Sequence, residues 1–277
     1  MKTRILTGVV LFAVLLPALI FSGTYVWNAA IALLCMIAVC ELLQCFGLMK
    51  KLAISIPSLV FSVFLPVATR LFDPDGFVFL AISTILILIW FFTASLFSRG
   101  KIPIDSVGFF GSVYGYVLWG FSLLALIRMF PDGEYLFMLP IAGALVCDAF
   151  AYFTGKLIGR HKLIPDVSPK KTVEGAVGGV LFDMGFFALY GWIVSLITGL
   201  PVRILALALL AVPVALISMV GDLVMSLLKR HFGIKDFSQI LPGHGGILDR
   251  FDSVIATSIV LYLLVRNTNL FLQLFGI

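Results

Sequence analysis

The chain is dominated by long runs of hydrophobic residues that are separated by short polar stretches. A helix that crosses a bilayer needs about 20 predominantly apolar residues. Reading the chain with that length predicts about nine membrane-spanning helices, approximately at 4–21, 25–47, 52–69, 77–97, 107–129, 135–155, 175–198, 203–228 and 253–274. We therefore expect an all-α, polytopic integral membrane protein.

The composition supports this interpretation and excludes other classes of protein. Of the 277 residues, 61% are hydrophobic and 12% are charged, and the mean hydropathy is +1.16. Soluble domains contain about 45–50% apolar and about 25% charged residues, so a soluble fold cannot bury this much apolar surface. Disordered chains, coiled coils and disulfide scaffolds require high charge, heptad repeats or dense cysteine, which this sequence lacks.

Lysine and arginine are distributed unevenly between the predicted loops. With nine spans, 15 of the 19 basic residues lie at the N-terminus and in the even-numbered loops, and 4 lie on the other side. Because basic loops remain in the cytoplasm, the N-terminus is predicted to be cytoplasmic and the C-terminus external. The same rule explains the net charge of +5, so we expect no nucleic-acid partner.

Residues with unusual chemistry are concentrated in the second half of the chain. We therefore expect a scaffold of transmembrane helices in residues 1–130 and the catalytic site in residues 131–277. Glu41, at the end of the second span with Gln44 on the same face, is predicted to have a helix-packing role. Asp183 in the seventh span is placed to line the same cavity, although no adjacent residue supports that role.

The eighth span carries a polar face within its apolar sequence. Ser218, Asp222, Ser226 and Lys229 are spaced by four, four and three positions, which places them on one side of a helix. A carboxylate at membrane depth costs about 2.5–3.5 kcal/mol on insertion scales, so such a residue is a functional candidate by default. The alternative is a structural contact between Asp222 and Lys229 that holds helices together.

A glycine-rich loop follows this span. Gly243, Gly245 and Gly246 allow backbone N–H groups to turn toward an anion, as in a phosphate-binding nest. The alternative is an ordinary turn, in which His244 is a hydrogen-bonded loop residue.

Two carboxylates follow the glycines. Asp249 and Asp252 are three positions apart, so a helix that begins here presents both on one face. Paired carboxylates beside glycines and basic residues suit Mg²⁺ that is shared with substrate phosphates.

A second basic stretch lies between the sixth and seventh spans. Ser168 followed by Pro169 predicts a helix N-cap with proline at the first helical position. Lys170, Lys171 and Thr172 are then predicted on the first turn, where helix dipole and charge favour an anion. The alternative is a basic loop that only sets membrane topology.

These stretches together resemble the signature of phosphatidate cytidylyltransferases, also called CDP-diacylglycerol synthases. The run from Ser226 to Asp252 matches the family signature in residues and spacing, and the stretches 148–152 and 168–175 resemble two further family motifs. The chain departs from the family pattern at Ala149-Phe150, where members often carry Thr-Gly, and at Met225, where they often carry Glu. The resemblance covers the C-terminal half closely, and the N-terminal spans match in hydropathy alone.

The resemblance implies that CTP and phosphatidate react to give CDP-diacylglycerol and pyrophosphate, with Mg²⁺ as cofactor. It also implies an active site on the cytoplasmic side of the cell's inner membrane, among membrane lipids, and leaves the oligomeric state open, a homodimer included. The implied catalytic residues are Asp222, Lys229, Asp249, Arg250 and Asp252, with metal bound by Asp222 and Asp249. The implied substrate-binding residues are Asp148, Tyr152, Ser168, Lys170, Lys171, Thr172, Glu174, Ser226, Lys235, Asp236, His244, Gly245 and Gly246.

The sequence leaves two alternative functions open. A CTP-dependent polyprenol or phytol kinase transfers the γ-phosphoryl group to an alcohol, which needs a base, and His244 is the only histidine in the motifs. An ion-coupled transporter would also bury Asp222 and Asp148, but it has no need of a glycine-rich loop with basic phosphate-type motifs.

Overall fold

The computed structural model describes residues 16–131, 133–243 and 245–267, and most of these residues are helical. Residues 16–20 are helical and precede the first complete helix. The helices are α1 (Tyr25–Cys45), α2 (Leu52–Leu71), α3 (Gly76–Phe97), α4 (Ile104–Ile127), α5 (Gly133–Leu136), α6 (Met138–Ile158), α7 (Val173–Thr198), α8 (Ile204–His231) and α9 (Leu248–Asn267). The two strands are β1 (Lys162–Ile164) and β2 (Ser168–Thr172), between α6 and α7.

The all-α membrane architecture is confirmed. In the described part of the chain, seven helical segments are long and apolar enough to cross a membrane: α1 to α4, the segment Gly133–Ile158, α7 and α8. They correspond to the second to eighth predicted spans, with ends that differ by a few residues. The first predicted span, 4–21, lies mostly outside the described residues, and the ninth, 253–274, extends beyond them. The number nine therefore stays a prediction.

The chain forms two compact units. The described residues of the first unit are 16–131, 234–243 and 245–251, and those of the second are 133–233 and 252–267. In the first unit, α1 packs against α2 and α4, and α4 also packs against α2 and α3. In the second unit, α6, α7 and α8 pack against one another, and β2 contacts both α6 and α7.

Aromatic side chains fill the core of the first unit. Phe91, Phe110 and Tyr114 are fully buried, and their ring centroids lie 5.5–5.6 Å apart. Such offset and edge-on ring pairs contribute stability beyond the area that they bury. The core therefore fixes α3 against α4, and α4 in turn supports α1.

Small residues allow α6 and α7 to approach closely in the second unit. A Cβ added to Gly175 would lie 2.6 Å from the Ala151 carbonyl oxygen, and one added to Gly179 would lie 3.0 Å from that of Cys147. Glycine at these positions is the usual means of bringing membrane helices into backbone contact. This contact sets the distance between the elements that carry the site.

The helix start predicted at Ser168–Pro169 is wrong. Ser168 begins β2, which pairs antiparallel with β1 in the register Ile164↔Ser168 and Lys162↔Thr172. The helix begins at Val173, with Thr172 as its N-cap, whose hydroxyl accepts a 3.1 Å hydrogen bond from Gly175 N. Threonine immediately before the apolar run is also a favoured N-cap residue, and proline is tolerated at the start of an edge strand.

The anion site predicted on the first turn of this helix is wrong for the same reason. Lys170 and Lys171 lie on β2, before the helix, so neither projects from its first turn. The first turn carries Glu174 instead.

Candidate active site

The polar face predicted on the eighth span is present on α8. Ser226 Oγ donates a 3.3 Å hydrogen bond to Asp222 Oδ1, one helical turn away. Lys229 is close enough to act on Asp222 electrostatically. Ser218, one turn before Asp222, is fully buried.

Asp222 forms its ion pair with Lys171 of β2. Lys171 Nζ lies 2.6 Å from Asp222 Oδ2. It also donates a 3.4 Å hydrogen bond to the Met219 carbonyl oxygen. The two charged side chains are 22% and 26% exposed. An ion pair that is largely shielded from water loses much if one partner is removed, because the other is left with a buried, uncompensated charge.

Two further aspartates extend this ion pair. The Asp252 carboxyl is almost fully buried, and it lies close enough to Asp222 for the two side chains to act on each other electrostatically. Its Oδ1 accepts a 2.8 Å bond from Ser253 N, and Ser253 Oγ donates a 3.1 Å bond to Asp148 Oδ2. Asp252 lies outside the seven candidate spans, and its burial and the neighbouring Asp222 charge raise its pKa well above the usual range.

These contacts define what we call the acid–lysine cluster, which is built from side chains of α6, β2, α8 and α9 within the second unit. Each of these elements carries one of the sequence stretches that the family signature singled out, so residues far apart in sequence converge. The members of the cluster are Asp148, Lys171, Asp222, Lys229 and Asp252.

Other predicted substrate-binding residues of this unit have structural contacts. Glu174 accepts bonds from the His161 backbone N–H, at 3.2 Å to each oxygen, and lies 2.6 Å from His161 Nδ1. It therefore ties the start of α7 to the residue before β1. Tyr152 is exposed and packs edge-on against Phe153, and Lys170 is exposed on β2. Their binding roles stay predictions.

The glycine-rich loop, defined here as residues 235–247, belongs to the first unit and is closed by Asp249. Asp249 Oδ2 accepts two backbone bonds of 2.9 Å, from Phe237 N and Gly246 N. Leu241 and Gly245 exchange backbone bonds of 3.0 and 3.1 Å. Gly245 has a φ of +85°, and an added Cβ would lie 2.8 Å from Asp249 Oδ2. Glycine is therefore required at position 245 for both conformation and space.

The phosphate nest predicted from the glycines is not formed by the amides of Gly245 and Gly246 in this structure, because both donate to protein acceptors. Their contact with substrate stays a prediction. His244 lies outside the described residues. The charged residues of this region, Lys235, Asp236 and Arg250, are exposed.

Comparison with known proteins identifies the family. The model of the cytidylyltransferase family matches residues 2–268. The chain belongs to this family. The cytidylyltransferase is 35% identical to the phosphatidate cytidylyltransferase of Bacillus subtilis strain 168 over 273 residues, which cover 96% of this chain and 97% of the relative. It is 34% identical over 270 residues to the enzyme of the same name from Staphylococcus epidermidis, covering 97% and 100%. The Aquifex aeolicus enzyme of that name is 40% identical over 157 residues, or 57% of each chain.

The carboxylates of this cytidylyltransferase fit a magnesium ion that is shared with substrate. Among the described residues, no group of three or more His, Cys, Asp or Glu side chains is arranged to hold a metal by itself. Mg²⁺ does not need such a group, since one or two carboxylates and the substrate phosphates usually bind it. Asp222 and Asp252, which act on each other electrostatically, are the carboxylates that would supply such a pair.

The sequence left the role of Asp183 in the cytidylyltransferase undecided. It is fully buried in α7, and neither carboxyl oxygen has a hydrogen-bond partner among the described residues. Asp148 acts on it electrostatically, which places it beside the acid–lysine cluster. Its depth in an apolar span was the signal available in the sequence.

Proposed function

We propose that this protein is a phosphatidate cytidylyltransferase, which makes CDP-diacylglycerol and pyrophosphate from CTP and phosphatidate. The observation that carries the proposal is the convergence of the acid–lysine cluster, in which Lys171 of a family motif pairs at 2.6 Å with Asp222 on the polar face of α8. The full-length similarity to relatives of that name supports the choice of substrates.

The proposed reaction forms one P–O bond and breaks another. A phosphatidate oxygen attacks the α-phosphorus of CTP, the bond from that phosphorus to the β-phosphate bridging oxygen breaks, and pyrophosphate leaves. The second pKa of a phosphomonoester is about 6, so the attacking group is already largely ionised at neutral pH. The enzyme therefore needs little general-base help, and its main task is to bring two polyanions together.

The charged side chains of the second unit suit this task. Lys171 and Lys229 bring positive charge into an apolar body, where it acts more strongly on phosphate than it does in water. Asp222 holds Lys171 in place before substrate arrives, so this charge is oriented in advance. We propose that the phosphates of CTP and phosphatidate meet these lysines.

Magnesium is the proposed cofactor, with Asp222 as a ligand and Asp252 beside it. When bound, Mg²⁺ neutralises charge on the reacting phosphates and orients them. Asp249, the other ligand predicted from the sequence, closes the glycine-rich loop with one oxygen, and its metal-binding role stays a prediction.

We also propose that the protein lies in the inner membrane and that its active site faces the cytoplasm. Fifteen of the 19 basic residues lie on the side of the predicted N-terminus, including Lys171 and Lys229, and basic loops stay in the cytoplasm. CTP is available on that side, and apolar surface between helices is suited to the acyl chains.

An assay with labelled CTP tests this function. We expect purified protein in detergent, given phosphatidate and Mg²⁺, to transfer the α-phosphate label of CTP into the lipid phase, and EDTA to abolish the transfer. Transfer of γ-label to a polyprenol, without α-label in phosphatidate, would indicate a lipid kinase. Transfer of neither label would contradict both enzymatic functions and favour a transporter.

Replacement of Lys171 by alanine should mainly raise the KM for CTP or phosphatidate. The change removes a cation proposed to contact phosphate and leaves Asp222 without its ion-pair partner. The KM of Lys171→Arg should lie between those of wild type and Lys171→Ala, since arginine keeps the charge with a different geometry. Initial rates over a matrix of both substrate concentrations measure the effect, with Lys162→Ala on exposed β1 as control. An unchanged KM for both substrates would contradict the phosphate-binding role.

A further inference from the structure

Glu41 of α1 is a buried carboxylate with three hydrogen bonds to the segment that precedes and begins α9. It is 1% exposed. Oε1 accepts bonds from Ser238 Oγ at 2.6 Å and from Ile247 N at 2.9 Å, and Oε2 accepts one from Leu248 N at 2.9 Å. All these groups belong to the first unit. Glu41 therefore connects a helix near the N-terminus to both ends of the glycine-rich loop.

The bonds to Ile247 and Leu248 cap α9. The first N–H groups of a helix have no partner within the helix and are normally satisfied by a polar N-cap side chain. Ile247, which precedes the first helical residue, has no side chain that can accept a hydrogen bond. Glu41 supplies this cap from another part of the chain, and its negative charge is favourable beside the positive end of the helix dipole.

The space around Glu41 also determines the residue at position 246. A Cβ added to Gly246 would lie 2.5 and 2.6 Å from the two Glu41 carboxylate oxygens, so any larger residue would displace Glu41 from its hydrogen bonds. Gly246 N donates at the same time to Asp249 Oδ2. Glu41 and Asp249 thus hold the same end of the glycine-rich loop, one through Ile247 and Leu248 and the other through Gly246.

We propose that Glu41 is a positioning residue for cytidylyl transfer, which fixes the glycine-rich loop and the first turn of α9. This inference rests on the proposed function, because the loop and that turn carry the residues predicted to bind substrate and metal. Glu41 touches the backbone of these segments, and it acts through the placement of Asp249, Gly246 and their neighbours.

A packing role alone would not explain these contacts. A buried carboxylate costs free energy unless its oxygens are satisfied, and an apolar side chain would pack α1 without that cost. The bonds go to backbone groups that lie 206 and 207 positions further along the chain, and to a hydroxyl 197 positions away. The carboxylate is thus matched to the conformation of the loop.

The test combines steady-state kinetics with hydrogen exchange on the full-length protein. Glu41→Gln keeps the shape and one acceptor oxygen, but it places an amide N–H₂ against a backbone donor. We expect kcat to fall about tenfold in Glu41→Gln and about 10²-fold in Glu41→Ala, with KM changed less than about twofold, since small misplacements of reacting groups have effects of this size. Amide exchange should accelerate in peptides that cover 237–250 and stay unchanged in α2, α3 and α4.

Two further variants make the result specific. Gln44→Ala, one turn away on α1 at an exposed position, should leave kcat and exchange unchanged. Ser238→Ala should lower kcat slightly, and adding it to Glu41→Gln should lower kcat by less than the product of the two single effects, because both changes act on one network.

The outcomes separate this proposal from the proposed function. If wild type transfers label from CTP to phosphatidate, a Glu41→Gln variant with unchanged kcat would overturn the positioning role. Faster exchange throughout the protein, with a lower melting temperature and wild-type kcat in the molecules that remain folded, would also overturn it in favour of general packing. If wild type transfers no label, the proposed function fails, and the exchange data alone test whether Glu41 anchors the loop. Acceleration confined to the loop in Glu41→Gln supports this anchoring, and unchanged loop exchange overturns it.

Discussion

Replacement of Asp222 by asparagine should lower kcat for CDP-diacylglycerol synthesis about 10³-fold while the protein stays folded. At about 1.36 kcal/mol for each factor of ten, this loss corresponds to about 4 kcal/mol of transition-state stabilisation. Asparagine preserves the shape of the side chain and removes its charge. The change takes away a proposed Mg²⁺ ligand and leaves Lys171, at 2.6 Å, without its counter-charge. It also removes the negative charge that acts on the neighbouring Asp252.

Initial rates with α-labelled CTP measure this effect, and the elution volume in detergent tests whether the variant is folded. Asp166→Asn makes the same chemical change at an exposed position of the same unit and should keep wild-type kcat. A kcat for Asp222→Asn within about threefold of wild type would contradict the assignment.

A double variant separates the catalytic role of Asp222 from a purely structural ion pair with Lys171. If Asp222 only neutralised Lys171, the variant Lys171→Gln/Asp222→Asn would recover most of the activity, because no buried charge is left unpaired. We expect the double variant to remain at least as inactive as Asp222→Asn, since the proposed metal ligand is still missing.

Much of the fold could be predicted because membrane insertion leaves a strong pattern in the sequence. The helices α1 to α4, α7 and α8 begin and end within a few residues of the predicted spans, since about 20 apolar residues are needed to cross a bilayer. The hairpin of β1 and β2 could not be predicted in this way. Its five-residue strand Ser168–Thr172 contains serine, proline and threonine, which are also typical of a helix start, and only the pairing with β1 decides between the two.

The members of the acid–lysine cluster could be singled out from the sequence, but their pairings could not. Asp222 stood out because a carboxylate in an apolar span is rare, and Lys171 because it lies in a basic motif. The sequence suggested Lys229 as the partner of Asp222, since the two share a helix face. In the structure, an ion pair joins Asp222 to Lys171, which is 51 positions earlier, and Lys229 also acts on Asp222 electrostatically. A contact of that separation depends on how the hairpin packs on α6 and α7.

Glu41 shows why a proposed positioning residue escapes such reasoning. At the end of an apolar span, a single acid beside Gln44 indicates a helix-packing role. Its partners are two backbone N–H groups and one serine hydroxyl, none of which leaves a recognisable motif around position 41. Backbone donors have no residue-specific signature, so only the structure shows that Glu41 caps α9.

Replacement of Asp249 by asparagine should also abolish turnover, with a fall in kcat of at least about 10³-fold if Asp249 binds a metal, since metal stabilisation of charge is worth several kcal/mol. The structure makes this substitution unusually informative. Asp249 Oδ2 accepts bonds from Phe237 N and Gly246 N, and the amide oxygen of asparagine can accept the same two bonds. Asp249→Asn therefore removes the charge and keeps the loop closed.

Asp249→Ala is the matched variant, because it removes both the charge and the two loop contacts. We expect both variants to be inactive in the labelled-CTP assay, whereas amide exchange in 237–247 should accelerate only in Asp249→Ala. If Asp249→Asn is active and Asp249→Ala is inactive, the charge of Asp249 is dispensable and its two hydrogen bonds are required. That result would contradict metal binding and leave loop closure as the whole role of Asp249. Asp166→Asn, at an exposed position outside this loop, is the control for changing a carboxylate that makes neither of these bonds.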